Sequence, residues 1–242
     1  MDRKVVLMYH DIVTTNDKTS GFQNESAFQY KVDETVFEEQ VKALKGKNVV
    51  FSFDDGGVSF YTKAAPILEK YGFKGLFFIS TSYIGTPGFL TEAQIRDLAE
   101  RGHEIGSHTH THPQDISKLL REEMHTEWKR SYEKLVRIVG NKIKTASIPN
   151  GNSSQIVLKE AVNSGFTDFY TSQPTTKVRM KNKYRIIGRY VVHSNMLTQD
   201  VVNIATSNRT QFKMSVKWHL LSIVKRILGA SYKSIKSKVI NK

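Results

Sequence analysis

Two adjacent carboxylates, Asp54 and Asp55, follow the apolar run Val49–Phe53 and precede Gly56 and Gly57. Asp and Gly are ordinary turn residues, so a strand-to-helix turn accounts for the composition of VVFSFDDGGVSF. It does not account for two like charges side by side. A second stretch, GSHTHTHP at residues 106–113, sets three histidines two residues apart. On an extended strand the outer two would stand about 13 Å apart at roughly 3.3 Å per residue, too far to share one ion. If the segment coils, His108 and His112 fall at i and i+4 on one face, the spacing of a zinc-binding histidine pair, and His110 turns elsewhere. Catalytic zinc takes three protein ligands and a water. One carboxylate of the aspartate pair completes that set, and its neighbour is left to act on the water. A dication offsets the repulsion between the two aspartates and brings the pKa of water towards neutrality. Two histidines and one carboxylate suit zinc best, and also cobalt, nickel or iron.

The elements around these clusters alternate. Short apolar runs at 5–9, 49–53, 75–80, 104–107 and 145–148 are each followed by an amphipathic stretch, at 36–44, 61–71, 91–101, 117–139 and 154–164. Strand-like segments follow at 166–170 and 184–192. Such alternation predicts βα units on a mainly parallel sheet. Thr91 reads as a helix cap and Gly102 as a helix stop. The polar clusters stand just after the apolar runs: Tyr9-His10-Asp11, Asp54-Asp55, His108–His112 and Pro149-Asn150-Gly151. Parallel α/β folds bind ligands at the carboxyl ends of their strands, so all four clusters are expected on one rim. Nothing in 242 residues requires a second domain or a covalent staple. Cysteine is absent, which excludes a thiol nucleophile, cysteine ligands and disulfides.

FSFDDGG and SHTHTHP together resemble the first two motifs of the polysaccharide deacetylases, carbohydrate esterase family 4, and the resemblance extends over about residues 5–195. It implies an α/β fold, a partial (β/α) barrel of about seven parallel strands, and metal-dependent removal of acetyl groups from N-acetylated sugars. By the same match Asp54 is the catalytic base, and Asp55, His108 and His112 are the metal ligands. The family's third motif, Arg-x-Pro-x-Gly, is replaced by Ser147-Ile148-Pro149-Asn150-Gly151, so the arginine that holds the base is missing. Arg185 or Arg189, in YRIIGRYVV, is expected to supply that cation and keep Asp54 ionised. A backbone N–H near Pro149, Asn150 or Gly151 is a candidate for stabilising the oxyanion. The late Leu-x-His motif of the family's general acid is not evident, and VVHSN around His193 differs from it. The start VLMYHDIV resembles that of the circularly permuted exopolysaccharide deacetylases acting on poly-N-acetylglucosamine, which implies that His10 protonates the leaving amine. His103 and His125 read as structural or solvated. Tyr9, Phe60 and Tyr61 are candidates for stacking on sugar rings or for core.

Charge divides the chain. Residues 177–242 hold 15 Lys and Arg and one acid, Asp200, whereas residues 1–176 hold 21 basic and 22 acidic residues. A division at 1–212 and 213–242 separates the barrel from a basic, amphipathic extension. In MSVKWHLLSIVKRILG, Val216, Leu220, Ile223, Val224 and Ile227 share a stripe opposite His219, Ser222, Lys225 and Arg226. That pattern suits either a helix closing the barrel or one lying on an anionic membrane surface. The apolar start is too short for a secretory signal, and no run reaches the roughly 18 residues of a membrane span. The expected location is therefore cytoplasmic, at the inner membrane face, and a leader trimmed from the chain would reverse that. Nucleic acid is not an expected partner, since basic charge comes here without a recognition motif.

The expected activity is hydrolysis of N-acetyl groups on a bacterial surface polysaccharide, a glycolipid or its precursor. O-acetyl or N-formyl removal would use the same site. A non-catalytic carbohydrate-binding protein would fit the missing motif arginine but not the intact Asp54, Asp55, His108 and His112.

Overall fold

Why the clusters meet follows from strand register in a computed structural model, which describes residues 4–151, 153–181 and 183–228, with side chains to residue 224. The chain runs β1 (Val5–Tyr9), α1 (Glu34–Ala43), β2 (Val49–Phe53), α2 (Ala65–Lys70), β3 (Gly75–Ile79), α3 (Glu92–Glu100) and β4 (Glu104–Ser107). It continues through α4 (Arg121–Val139), β5 (Thr145–Ser147), α5 (Gln155–Asn163), β6 (Asp168–Thr171), β7 (Arg179–Lys181), β8 (Tyr184–Gly188), β9 (Tyr190–Val191), α6 (Thr198–Thr206) and α7 (Asn208–Leu228). The main sheet has the order β9-β1-β2-β3-β4-β5-β6-β8-β7, and every pairing except β7–β8 is parallel. A short parallel pair, Ile12–Val13 with Val32–Asp33, stands apart from it.

Strands β8 and β9 are separated only by Arg189. The first pairs with β6 and the second with β1, so the segment 184–191 ties the two ends of the sheet together. Counted that way, seven parallel strands curl into the partial barrel expected from the sequence. The interior is aromatic: Phe37, Phe51, Phe53, Phe60 and Phe77 are fully buried, and Tyr9 lies 5.6 Å from Phe53, ring centre to ring centre. The near-continuous apolar strands are those of a sheet covered on both faces.

Helix signals act as the sequence implies. Asp33 caps α1, and its carboxylate accepts the N–H of Thr35. Thr91 caps α3 reciprocally with Gln94, and Gly102 ends the turn at φ 85°. The stretch expected as one helix over 61–71 opens with a π-helical turn, Phe60–Ala64, before α2. Helix α7 begins at Asn208, so the division drawn at 212/213 falls inside one element. Ile227 and the lysines beyond residue 228 lie outside the described side chains.

Candidate active site

Register brings the clusters to one rim. Tyr9 pairs with Phe53, which sets His10 beside Asp54 just past the strand ends. Ile79 pairs with Ser107, Ser107 with Ala146, and Ser147 with Tyr170, which aligns His108 and Ser147 on the same rim. The Asp54 N–H extends the ladder by one step, donating to the Tyr9 carbonyl at 3.1 Å. Past that point the backbone turns sharply, with Asp55 at φ 87° and Gly56 at φ 94°. Gly57 is needed for another reason: a Cβ there would stand 1.9 Å from the buried carboxylate of Asp11. Asp11 accepts the hydroxyls of Ser20 at 2.6 Å and Ser59 at 3.0 Å, locking the loop after β1 to the turn after Asp55.

The histidine stretch leaves β4 at Ser107 and coils, with positive φ at Thr109 and His112. Strain of this kind in non-glycine residues collects at functional sites. Coiling brings His108 Nε2 and His112 Nε2 each to 3.4 Å from Asp55 Oδ1. One ligand atom from each of the three residues lies within 4.8 Å of the others. His108 Nδ1 is 3.0 Å from the Ser147 carbonyl, so the proton on Nδ1 donates there and Nε2 keeps its lone pair for a ligand. His110 turns away to Thr81 Oγ1 at 2.8 Å. Glu127 of α4 holds the coil: its carboxylate accepts the N–H groups of His110 (3.0 Å) and Thr111 (2.8 Å) and the Thr111 hydroxyl.

Electrostatics suit a cation. Burial disfavours ionisation of Asp55, but the His108 hydrogen bond and the surrounding imidazoles hold its carboxyl below the usual range. Burial also opposes charge on His108, and Asp54 and Asp55 outweigh it and raise its pKa. His112 is pushed down to about 4 by burial and by His108. Three ligand atoms at this spacing, with one imidazole oriented from behind, fit a divalent metal.

Asp54 is held differently. Arg189 grips it through two parallel bonds, Nη1 to Oδ1 at 2.6 Å and Nη2 to Oδ2 at 2.7 Å. The Ser147 hydroxyl is 2.7 Å from Arg189 Nη2 and 3.1 Å from Asp54 Oδ2. Arg189 is 1% exposed, its Nε donates to the Thr171 carbonyl, and its guanidinium lies 5.2 Å from the Phe78 ring centre. Burial pushes the Asp54 pKa up, but Arg189 and His108 prevail and hold the carboxyl well below the usual range. Asp54 Oδ2 stands 3.9 Å from His108 Nε2, so the ionised carboxylate borders the candidate ligand set.

Arg185 is not at the site. It sits opposite Asp168 in the β6–β8 register and bonds it through Nε and Nη2. Of the third motif, Asn150 and Gly151 line the cavity, while Pro149 is buried beneath it. Asn150, at φ 56°, donates to the Gln114 carbonyl and ties this loop to the histidine coil. His10 is half-buried at the cavity wall, and its Nδ1 is buried with no hydrogen-bond partner. Its ring stacks on Tyr30 at 4.6 Å, and Tyr30 stacks in turn on His193 at 5.0 Å. His193 also lines the cavity.

The aromatic residues singled out in the sequence are elsewhere. Tyr9 and Phe60 are core, and Tyr61 lies under Arg101. Phe22, Tyr30 and Trp218 line the cavity of about 340 Å³ instead. They come from loops and from α7, and no local pattern marks them. His103 is buried, accepting the Gly75 N–H at 2.9 Å and facing Glu69, and His125 faces Glu160.

A sequence profile of the family described as Polysaccharide deacetylase matches residues 41–169. The match contains Asp54, Asp55, His108 and His112, while His10 and Arg189 lie outside it. The chain is 30% identical over 147 residues to YxkH of Bacillus subtilis, covering 61% of this chain and 52% of that protein. It is 26% identical over 157 residues to the peptidoglycan-N-acetylmuramic acid deacetylase PdaA of the same organism, covering 64% and 57%. The chain therefore spans about half the length of these curated relatives. Among solved structures, the Streptococcus pyogenes deacetylase PplD, in complex with acetate, superposes with a TM-score of 0.72 at 21% identity, covering 84% of this chain and 98% of that one. IcaB from Ammonifex degensii gives 0.66 at 21% identity, covering 85% and 98%. Those likenesses show a shared fold. With the profile spanning more than half the chain and enclosing both the aspartate pair and the two ligand histidines, the protein belongs to the polysaccharide deacetylase family.

Proposed function

We propose that the protein hydrolyses N-acetyl groups on N-acetylated sugars of a bacterial surface polysaccharide, a glycolipid or its precursor, with a divalent metal, zinc first, held by Asp55, His108 and His112. One observation carries the reading: a buried, ionised Asp54, clamped by Arg189, stands beside a three-ligand set. A structural ion pair would gain nothing from that neighbour, and buried pairs are weak devices for stability. When bound, a divalent cation polarises an amide carbonyl and makes water more acidic.

The chain supplies the rest. Asp54, fixed by the fork of Arg189, removes the proton of the attacking water. Arg189 stays bound to the carboxylate and keeps it from rotating away. His10, whose half-buried ring lines the cavity, would protonate the departing amine. Asn150 and Gly151 line the cavity, and the Asn150 N–H is the oxyanion-donor candidate there, because the Gly151 N–H already donates to the Ile148 carbonyl at 3.1 Å. The products are acetate and an amino sugar.

Acetate release tests the reading. Metal-loaded protein would be offered a nucleotide-linked N-acetylhexosamine, a lipid-linked one, and a short poly-N-acetylglucosamine oligomer. Metal-dependent acetate from at least one is the expected result, and the preferred substrate places the enzyme before or after polymerisation. Metal-loaded protein that releases acetate from none of them, but acts on O-acetylated or N-formylated sugars, would overturn the choice of acyl group.

A further inference from the structure

Helix α7 has two unlike faces. Gln211, Met214 and Trp218 turn inward: Gln211 Nε2 donates to the Ile204 carbonyl at 2.8 Å, and Trp218 lines the catalytic cavity. The outward face carries Phe212, Val216, Leu220 and Ile223 at helical spacing, all exposed, Phe212 by 70% and Leu220 by 59%. Lys213 and Lys217 run along the edge of that stripe. From Asn208 to Lys242 there are nine Lys and Arg and no acidic residue. No described helix is long and apolar enough to cross a membrane, and an exposed apolar stripe with a basic edge is the pattern of a helix lying in the interface.

We propose that α7 lies in the headgroup layer of an anionic phospholipid bilayer, its apolar stripe at the acyl boundary and Lys213 and Lys217 among the phosphates. Charge selects this occupant. A second copy of the chain, packed on the same face, would set Arg209, Lys213 and Lys217 against their own equivalents with no acid to offset them. An anionic surface satisfies both the apolar stripe and its basic edge. Because Trp218 reaches the cavity from the other side of the same helix, docking would hold the active site close to the membrane surface. The docking is independent of the deacetylase reading. Vesicle binding is read without turnover, so either can fail alone.

The test is co-sedimentation of the full chain with phosphatidylcholine vesicles, with and without phosphatidylglycerol. Binding is expected only with phosphatidylglycerol and should weaken as salt rises. Lys213→Glu with Lys217→Glu should lower partitioning at least tenfold, at roughly fivefold for each charge removed. Phe212→Ser with Leu220→Ser should also lower it at least tenfold while leaving the thermal midpoint unchanged, since both side chains are exposed. Equal binding to neutral vesicles would overturn the proposal. So would undiminished binding of the Phe212→Ser, Leu220→Ser variant, which would assign the contact to the lysines of residues 229–242. Absence of vesicle binding, with a dimer in solution that the same variant dissolves, would assign the face to a second copy.

Discussion

At the scale of single residues, neighbouring aspartates are given opposite tasks by their surroundings. Asp55 faces two imidazoles, and Asp54 faces a guanidinium. Arg189→Lys keeps the positive charge and loses the fork, so kcat should fall about 10²-fold as the base loses its orientation. The Asp54 pKa should then rise, because less opposes its burial. The acidic limb of the pH–rate profile should move to higher pH, and an unmoved limb would contradict the role. A buried carboxylate left with no partner is costlier, so Arg189→Met should destabilise the fold by about 3–5 kcal/mol, read by denaturant unfolding. The histidines give a second pH effect. His108 has a pKa raised above 6.5 and must give up its proton to a metal, so metal affinity should fall as pH drops through and below that range. Calorimetric titration should detect a released proton, and affinity constant from pH 6 to 8 would argue against this ligand. The two histidines and the aspartate pair were legible in the sequence as candidate ligands, because i,i+4 spacing and adjacent carboxylates are local signals, whereas the choice of Asp55 over Asp54 rested on the family resemblance. The arginine was narrowed only to two. Arg185 and Arg189 are four apart and would share a face of a regular strand, but the chain changes partner from β6 to β1 at residue 189. Asp168, opposite Arg185, is the cross-strand signal that would have separated them.

Elements position these groups with different stringency. Strand register alone sets His10, Asp54, His108 and Ser147 on one rim, and this was readable from where apolar runs end. The coil after β4 needs more. Glu127, on a helix 15 residues beyond His112, accepts three hydrogen bonds from it, and no local pattern links the two. Glu127→Ala should weaken metal affinity about 10–100-fold without unfolding the protein, as loss of support behind ligands does. Unchanged affinity would show that the coil holds its shape alone. Near the strand starts, Glu69 joins α2 to α3 and β4 through Arg101 and His103. Its hydrogen bond to Arg101 brings its carboxyl down to about 2, against 4.5 unperturbed. A depressed pKa contributes stability that is fully present above about 4.5 and is lost as pH falls through about 2. The gap in thermal midpoint between the wild type and Glu69→Gln should therefore close over that range. A gap that persists at pH 2 would contradict the pairing.

Across the whole molecule, the barrel and α7 form one site. Trp218 lines the cavity from a helix whose sequence suited either closing the barrel or lying on a membrane, and which side faces the body was not legible because its apolar residues lie on both sides. A sequence stripe shows that a helix is amphipathic, not which side meets the body. The parallel α/β architecture was readable because βα alternation and polar residues after apolar runs are repeated signals. The cavity wall of Phe22, Tyr30 and Trp218 was not, because it depends on chain segments brought together only by closure of the sheet. The proposed chemistry converges on Asp54, whose removal should leave the ligand set in place. The direct measurement is acetate release by metal-loaded Asp54→Asn beside the wild type, with bound metal quantified in both. The account predicts equal metal content and turnover reduced at least about 10³-fold, as expected when the base that activates water is lost. An Asn variant that binds metal and keeps wild-type turnover would contradict it.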